Sequence, residues 1–275
     1  MVGEQPDTVS EQILNVVTNY VRQSSLMDRA LNDLEGSQFT LCLAARGTMP
    51  PSAFAIFLPD ADAAMINLHA GEANAVAFGL HELRHGWQDV NGVFDRMPTD
   101  SRQDRFAMLY LIEADATAFS IAAAYQLRES GEPGAWHALA RRHGYHEMTI
   151  AFEESLGDVT PGEPLTDQQL ARGMRAAFNA FFDDTSFPAD YTDFQRERWG
   201  HYPDRTTDKT AELRQLGQVI GQLSNPNGRT GGVTGGYIGA PEIAKARAFA
   251  DRLVPMREPE LQRGQEATRP LQFAQ

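Results

Sequence analysis

The chain has 275 residues, 42% of them hydrophobic, enough for one sizeable core or two small ones. A formal net charge of −13 leaves nothing to neutralise a phosphate backbone and no attraction to anionic lipid, so neither nucleic acid nor a membrane surface is an expected partner. The single cysteine, Cys42, excludes an intramolecular disulfide.

The segment Met1–Asp7 lacks the basic and apolar regions of a Sec-type leader, and no run approaches the ~18 apolar residues of a membrane span. Cytoplasmic residence is the expectation, although delivery by a specialised secretion system would leave no readable mark. A first helix, capped by Thr8 or Ser10, carries Ile13, Leu14, Val17, Tyr20, Val21 and Leu26 at helical spacing to about Leu34, where Gly36 ends it. Three short apolar segments follow, Phe39–Ala45, Ala53–Leu58 and Ala63–His69. Turn chemistry at Gly47–Pro51 and Pro59-Asp60 separates them, which predicts a small meander or mixed sheet. Cys42, inside the first segment, reads as a small core residue.

Gly71–Asn74 opens a second helix that runs to about Val90 and closes at Asn91-Gly92. Asp100-Ser101 caps a long helix over about Arg102–Arg128, and Gly131–Gly134 breaks it. One further helix is expected over roughly Ala135–Leu156, and Thr166-Asp167 caps another over Gln168–Phe182. The pattern weakens after Asp183. Short helices are expected at Thr207–Leu223 and Pro241–Leu253, with the glycine-rich Asn225–Gly239 between them as a loop and not a packed element. The expected class is therefore α+β, mostly α. Residues 1–160 form its core, residues 161–254 a mainly helical part packed on that core, and residues 255–275 a disordered polar tail.

Chemistry concentrates in His81-Glu82-Leu83-Arg84-His85. On a helix, residues four apart lie about 40° apart around the axis and one turn up, so both imidazoles can grip one metal ion. Glu82, offset by about 100° from His81, aims a carboxylate beside that ion, where water would lie. A chain of this composition would contain HExxH by chance on the order of 1% of the time, so its surroundings must carry the case. A catalytic zinc needs three protein ligands and one open position. The long helix offers Glu113 and Asp115, which are about 200° apart and cannot both face the ion. Both of its faces are apolar, so helical geometry leaves the choice open. An unpaired acid in such a run is costly to bury, and a cation is the obvious partner for one of them.

Glu113-Ala114-Asp115-Ala116-Thr117-Ala118-Phe119 reads as ExxAxxF, and with the upstream HExxH it resembles the bacterial zincin-like peptidases of the ImmA/IrrE type and, more broadly, gluzincins. His85-Gly86-Trp87-Gln88 with the Glu-Ala-Asp-Ala run also resembles an uncharacterised group of bacterial metallopeptidases. The likeness covers roughly residues 37–125. It implies a zincin-like core, one Zn2+ held by His81, His85 and Glu113, and Glu82 as general base. Two positions depart from it. Arg84 stands where the ImmA/IrrE pattern has Gly or Ala, and Thr117 stands where ExxxD gluzincins place Asp.

The expected function is a zinc-dependent metallopeptidase acting on a peptide or protein substrate. In it, Glu82 would take a proton from water and pass it to the leaving amine. An oxyanion donor is also required. His143, Tyr145, His146 and Tyr191 are candidates, and His201 and Tyr202 rank first because they stand beside Pro203, where an active-site rim could form. Gln88 is assigned to a solvated helix face and Trp87 to the core or a groove wall. The alternative is a non-catalytic, zinc-stabilised regulatory or binding module. A third reading makes HELRH a chance match in a helical interaction protein.

Overall fold

The structure, a computed structural model, describes residues 18–20, 22–44, 48–49, 53–97, 101–160, 163–183, 209–222 and 236–253. A mixed three-stranded sheet and eight helices of seven residues or more lie within them. This is the α+β, mostly α class expected.

The first helix is interrupted. Residues 18–20 and 22 are helical, but the chain turns at Gln23-Ser24 and restarts as α1, Ser25–Leu34. Ser24 caps α1 by accepting from the Met27 N–H, and its hydroxyl donates to Gln126, whose Oε1 also takes the Leu26 N–H. That side chain from a distant helix competes for the backbone of Leu26, and periodicity cannot show it. The proposed caps Thr8 and Ser10 lie outside the described residues.

Strands β1 (Thr40–Leu43), β2 (Ala55–Leu58) and β3 (Ala63–Ile66) are ordered β1-β3-β2, with β1 parallel and β2 antiparallel to β3. A short 3-10 turn, Pro59–Ala61, links β2 to β3 through Asp62, which adopts the left-handed region at φ 46°. Asp tolerates that conformation better than most residues. Cys42 is half-buried on edge strand β1 and not in the core.

Helix α2, Glu72–Val90, lies against this sheet through a glycine face. Gly79 and Gly86 are seven residues, about two turns, apart and so share one side. A Cβ at Gly79 would stand 2.9 Å from Ile66 Cδ1, and one at Gly86 only 2.3 Å from the Phe39 ring. Gly86→Ala should therefore destabilise the fold. Overpacking costs about 1–3 kcal/mol, and the helix propensity gained by Ala returns only about 1 kcal/mol. Thermal unfolding should rank Gly86→Ala below Gly79→Ala, where a single methyl has to give way. The reverse order would contradict this packing.

Helix α3, Arg102–Glu129, is capped by Ser101, which accepts from the Asp104 N–H, and is the axis of the molecule. Among the described residues it is the one helix long and apolar enough to cross a membrane, and nearly all of its apolar stretch is buried inside the fold. Glu113 and Asp115 interrupt that stretch, so no unbroken apolar run is visible in the sequence. Burial of Phe106, Leu111, Ile112, Phe119 and Ile121, at about 1.5–3 kcal/mol each, explains why both faces are apolar.

The single helix expected over Ala135–Leu156 is two, α4 (Gly134–Ala140) and α5 (His146–Ser155). Gly144, at φ 84°, takes a left-handed turn between them that a continuing helix cannot contain. Helix α6, Asp167–Phe181, starts with a full capping box between Thr166 and Gln169 and packs on α5 and α3. Helices α7 (Thr210–Ile220) and α8 (Ala240–Leu253) close against α3 as well.

Candidate metal centre

Helix α2 presents His81, Glu82 and His85, and the adjacent α3 presents Glu113. His81 Nε2 and His85 Nε2 are 3.0 Å apart. Glu113 Oε2 lies 3.3 Å from the first, and Glu113 Oε1 lies 3.5 Å from the second. These three side chains are the one group of His, Cys, Asp or Glu among the described residues able to hold a metal ion. A tetrahedral ion with bonds of about 2.0–2.1 Å would need donors about 3.3–3.4 Å apart. The separations of the two nitrogens from each other and from the carboxylate oxygens therefore fit a small divalent ion. The histidines are buried, while the Glu113 side chain is 19% exposed and Glu82 is half-buried, so the group opens to solvent on its carboxylate side.

Strand β2 reaches the same place. The Phe57 N–H donates to the Glu82 carboxylate, and the Phe57 and Phe94 rings stand 6.0 and 6.3 Å from the His85 ring. Glu82 is pushed above the usual carboxylate range by burial, opposed by the charges of His81 and His85 and by that N–H. Burial also works to raise Glu113. The charge and hydrogen bond of His85, with those of His81, overturn it and hold the carboxyl well below its usual range. His85 shows the reciprocal effect: burial opposes its charge, yet Glu113 beside it raises the imidazole from 6.5 to about 9.

A proton would thus compete with a metal ion for His85. Below about pH 9 the metal-free protein holds that proton, so metal affinity should weaken about tenfold for each unit the pH falls. Calorimetric titration of the ion in buffers of different ionisation enthalpy should show proton release at pH 7, falling by one as the pH passes about 9. Equal release at pH 7 and pH 10 would contradict the assignment.

The two acids of α3 divide as their separation requires. Asp115 turns away from the histidines and is fully buried. Arg84 Nε and Nη2 reach its two oxygens at 2.7 and 3.2 Å, the Gln88 amide donates to it at 2.7 Å, and the Tyr237 hydroxyl donates to it as well. The partnered acid is fully buried. Arg84 also donates to the carbonyls of Ile220 and Gln222, and its guanidinium covers the Trp87 ring at 3.9 Å. The residue that departs from the ImmA/IrrE pattern is therefore the cation that neutralises Asp115. Trp87 is core, with its indole N–H donating to Asp33.

Two other expectations change, and the ranking of the oxyanion donors is not reached. Gln88 is not on a solvated face; it is fully buried, against His85 and Asp115. The end of the glycine-rich stretch is packed, with Tyr237 and Ile238 buried. Gly221 and Gly236 cross so closely that a Cβ on Gly236 would lie 2.4 Å from the Gly221 carbonyl oxygen, which lets Tyr237 descend to Asp115. Of the candidate donors, His143 and His146 are exposed, and Tyr191, His201 and Tyr202 lie outside the described residues. Tyr145, set by the turn at Gly144, is buried. Burial and then the charges of Glu113 and Glu82 raise its hydroxyl, so it stands within electrostatic reach of both carboxylates.

Residues 3–224 match the model of a family described as "Putative metallopeptidase family (DUF6782)". Comparisons with curated proteins and with solved structures give no match.

Proposed function

The chain belongs to this metallopeptidase family, and from that membership we propose a zinc-dependent peptidase in which His81, His85 and Glu113 hold one ion and Glu82 is the general base. The observation that carries the proposal is the gathering of two imidazole nitrogens, 3.0 Å apart, with the Glu113 carboxylate, whose Oε2 and Oε1 lie 3.3 and 3.5 Å from them, beside a second carboxylate that belongs to Glu82. Two imidazoles and one carboxylate suit zinc better than harder or softer ions. A zinc ion bound there supplies Lewis acidity toward water and a scissile carbonyl.

The remaining work falls to the protein. Glu82 is poised by the Phe57 N–H, and its raised basicity suits it to accept a proton from water and deliver it to the leaving amine. Tyr145 keeps its proton at neutral pH and serves as the donor to the oxygen on which negative charge develops. The order of HExxH and ExxAxxF on two packed helices is what supports kinship with ImmA/IrrE-type peptidases.

The test is cleavage of an unfolded casein substrate by protein stripped of metal and reloaded with zinc. Turnover is expected only after zinc is restored. Zinc uptake without turnover toward casein or a mixed peptide library would instead identify the non-catalytic module. Tyr145→Phe should lower kcat by about 10²-fold with KM little changed. Wild-type kcat in that variant would remove Tyr145 from the reaction.

A further inference from the structure

Gln88 lies one helical turn beyond His85, and its amide orientation is forced. Its Nε2 is 3.1 Å from the Ile112 carbonyl oxygen and 2.7 Å from Asp115 Oδ2. The Ile112 carbonyl can only accept, and both Asp115 oxygens already accept hydrogen bonds from Arg84. The NH2 group must therefore face these two partners, which turns Oε1 toward His85. His85 Nδ1 lies 2.7 Å from that oxygen, and since the amide oxygen cannot donate, Nδ1 must carry the hydrogen.

We propose that Gln88 is a positioning residue that locks His85 in the Nδ1–H tautomer, leaving Nε2 as the atom that receives the ion. The proposal rests on the metal centre described above. The two histidines differ in this respect, because His81 Nδ1 is buried with no hydrogen-bond partner among the described residues. His85 is thus the ligand whose ring is oriented in advance. The chain of restraint runs from Tyr237 and Arg84 to Asp115, from Asp115 to Gln88, and from Gln88 to His85. Tyr237 lies beyond the residues matched by the family model, so a segment outside that match helps to aim a ligand of the centre. A carboxylate at position 88 could also accept from His85, but it would stand against Asp115, which explains an amide there.

The experiment compares wild type with Gln88→Met, a side chain of similar length without the amide, using cobalt(II) as the probe ion. In the cobalt-loaded wild type, the exchangeable ring N–H of His85 should appear as a paramagnetically shifted proton resonance protected from solvent exchange. In Gln88→Met that proton should exchange at least about tenfold faster, and cobalt should bind about 10–100-fold more weakly. A purely structural Gln88 would lower the unfolding temperature of the metal-free protein and leave cobalt affinity unchanged, which would overturn the positioning role. Finding no protected His85 Nδ1 proton in loaded wild type would overturn it without any variant having to fold. Failure of wild type to take up cobalt would overturn the metal centre itself, and this proposal with it.

Discussion

Glu82→Gln is expected to lower kcat by about 10²–10⁴-fold while the bound zinc and KM stay close to wild type. The amide keeps the size of the side chain and can still accept from the Phe57 N–H, so the local structure has no reason to move. It cannot take up a proton from water. Glu82 is not among the three residues grouped to hold the ion, which is why metal content should not follow activity. Stability should move the opposite way. Burial raises the folded pKa of Glu82, so ionising it weakens the metal-free fold as the pH rises past the ordinary carboxylate range. At neutral pH the metal-free Glu82→Gln protein should therefore melt slightly higher than wild type. Such a trade of stability for reactivity is common where a site holds a partly buried base. Undiminished cleavage by this variant would remove Glu82 from the chemistry.

Arg84→Met should be the most damaging substitution for stability. It leaves Asp115 fully buried with two neutral donors, Gln88 and Tyr237, and without the cation that balances its charge. Breaking such a pair by removing one partner costs about 3–5 kcal/mol, against a total of about 5–15 kcal/mol for a typical domain. The same change frees the carbonyls of Ile220 and Gln222 from their shared cation, so α7 loses its tie to α2. Arg84→Met combined with Asp115→Asn should recover part of the loss, since the unpaired charge is then gone. Urea denaturation of the two single variants and the double variant would measure this. Additive losses, with no recovery, would show that the buried pair is not coupled.

Much of this arrangement is legible in the sequence, and the rest is hidden for identifiable reasons. The HExxH helix, its end at Asn91-Gly92 and the capped start of α3 follow from local rules, and the structure shows them where expected. The sheet is also anticipated as small, although its parallel β1–β3 pairing depends on contacts that no local pattern encodes. Glu113 and Asp115 cannot be separated by periodicity, because α3 is buried on all sides and offers no polar face as a reference. Arg84 is the missing clue. A cation one residue before the second histidine needs an anion across the helix interface, and only one of the two acids can supply it. Gln88 and Tyr145 are undervalued for a related reason. Polar residues read as surface until a buried partner is known, and their partners here come from α3 and from the centre itself. The helix break at Gly144 is signalled by a glycine, yet only the structure shows the left-handed turn there and the burial of Tyr145 that follows it.

The proposed chemistry stands or falls on one small cation shared by His81, His85 and Glu113. Elemental analysis of protein purified without chelator or a polyhistidine tag, wild type beside His81→Ala and Glu113→Ala, addresses it most directly. One zinc per wild-type chain and a loss of zinc in both variants is the predicted outcome. A wild-type protein that takes up no metal, or a Glu113→Ala protein that retains it fully, would contradict the assignment.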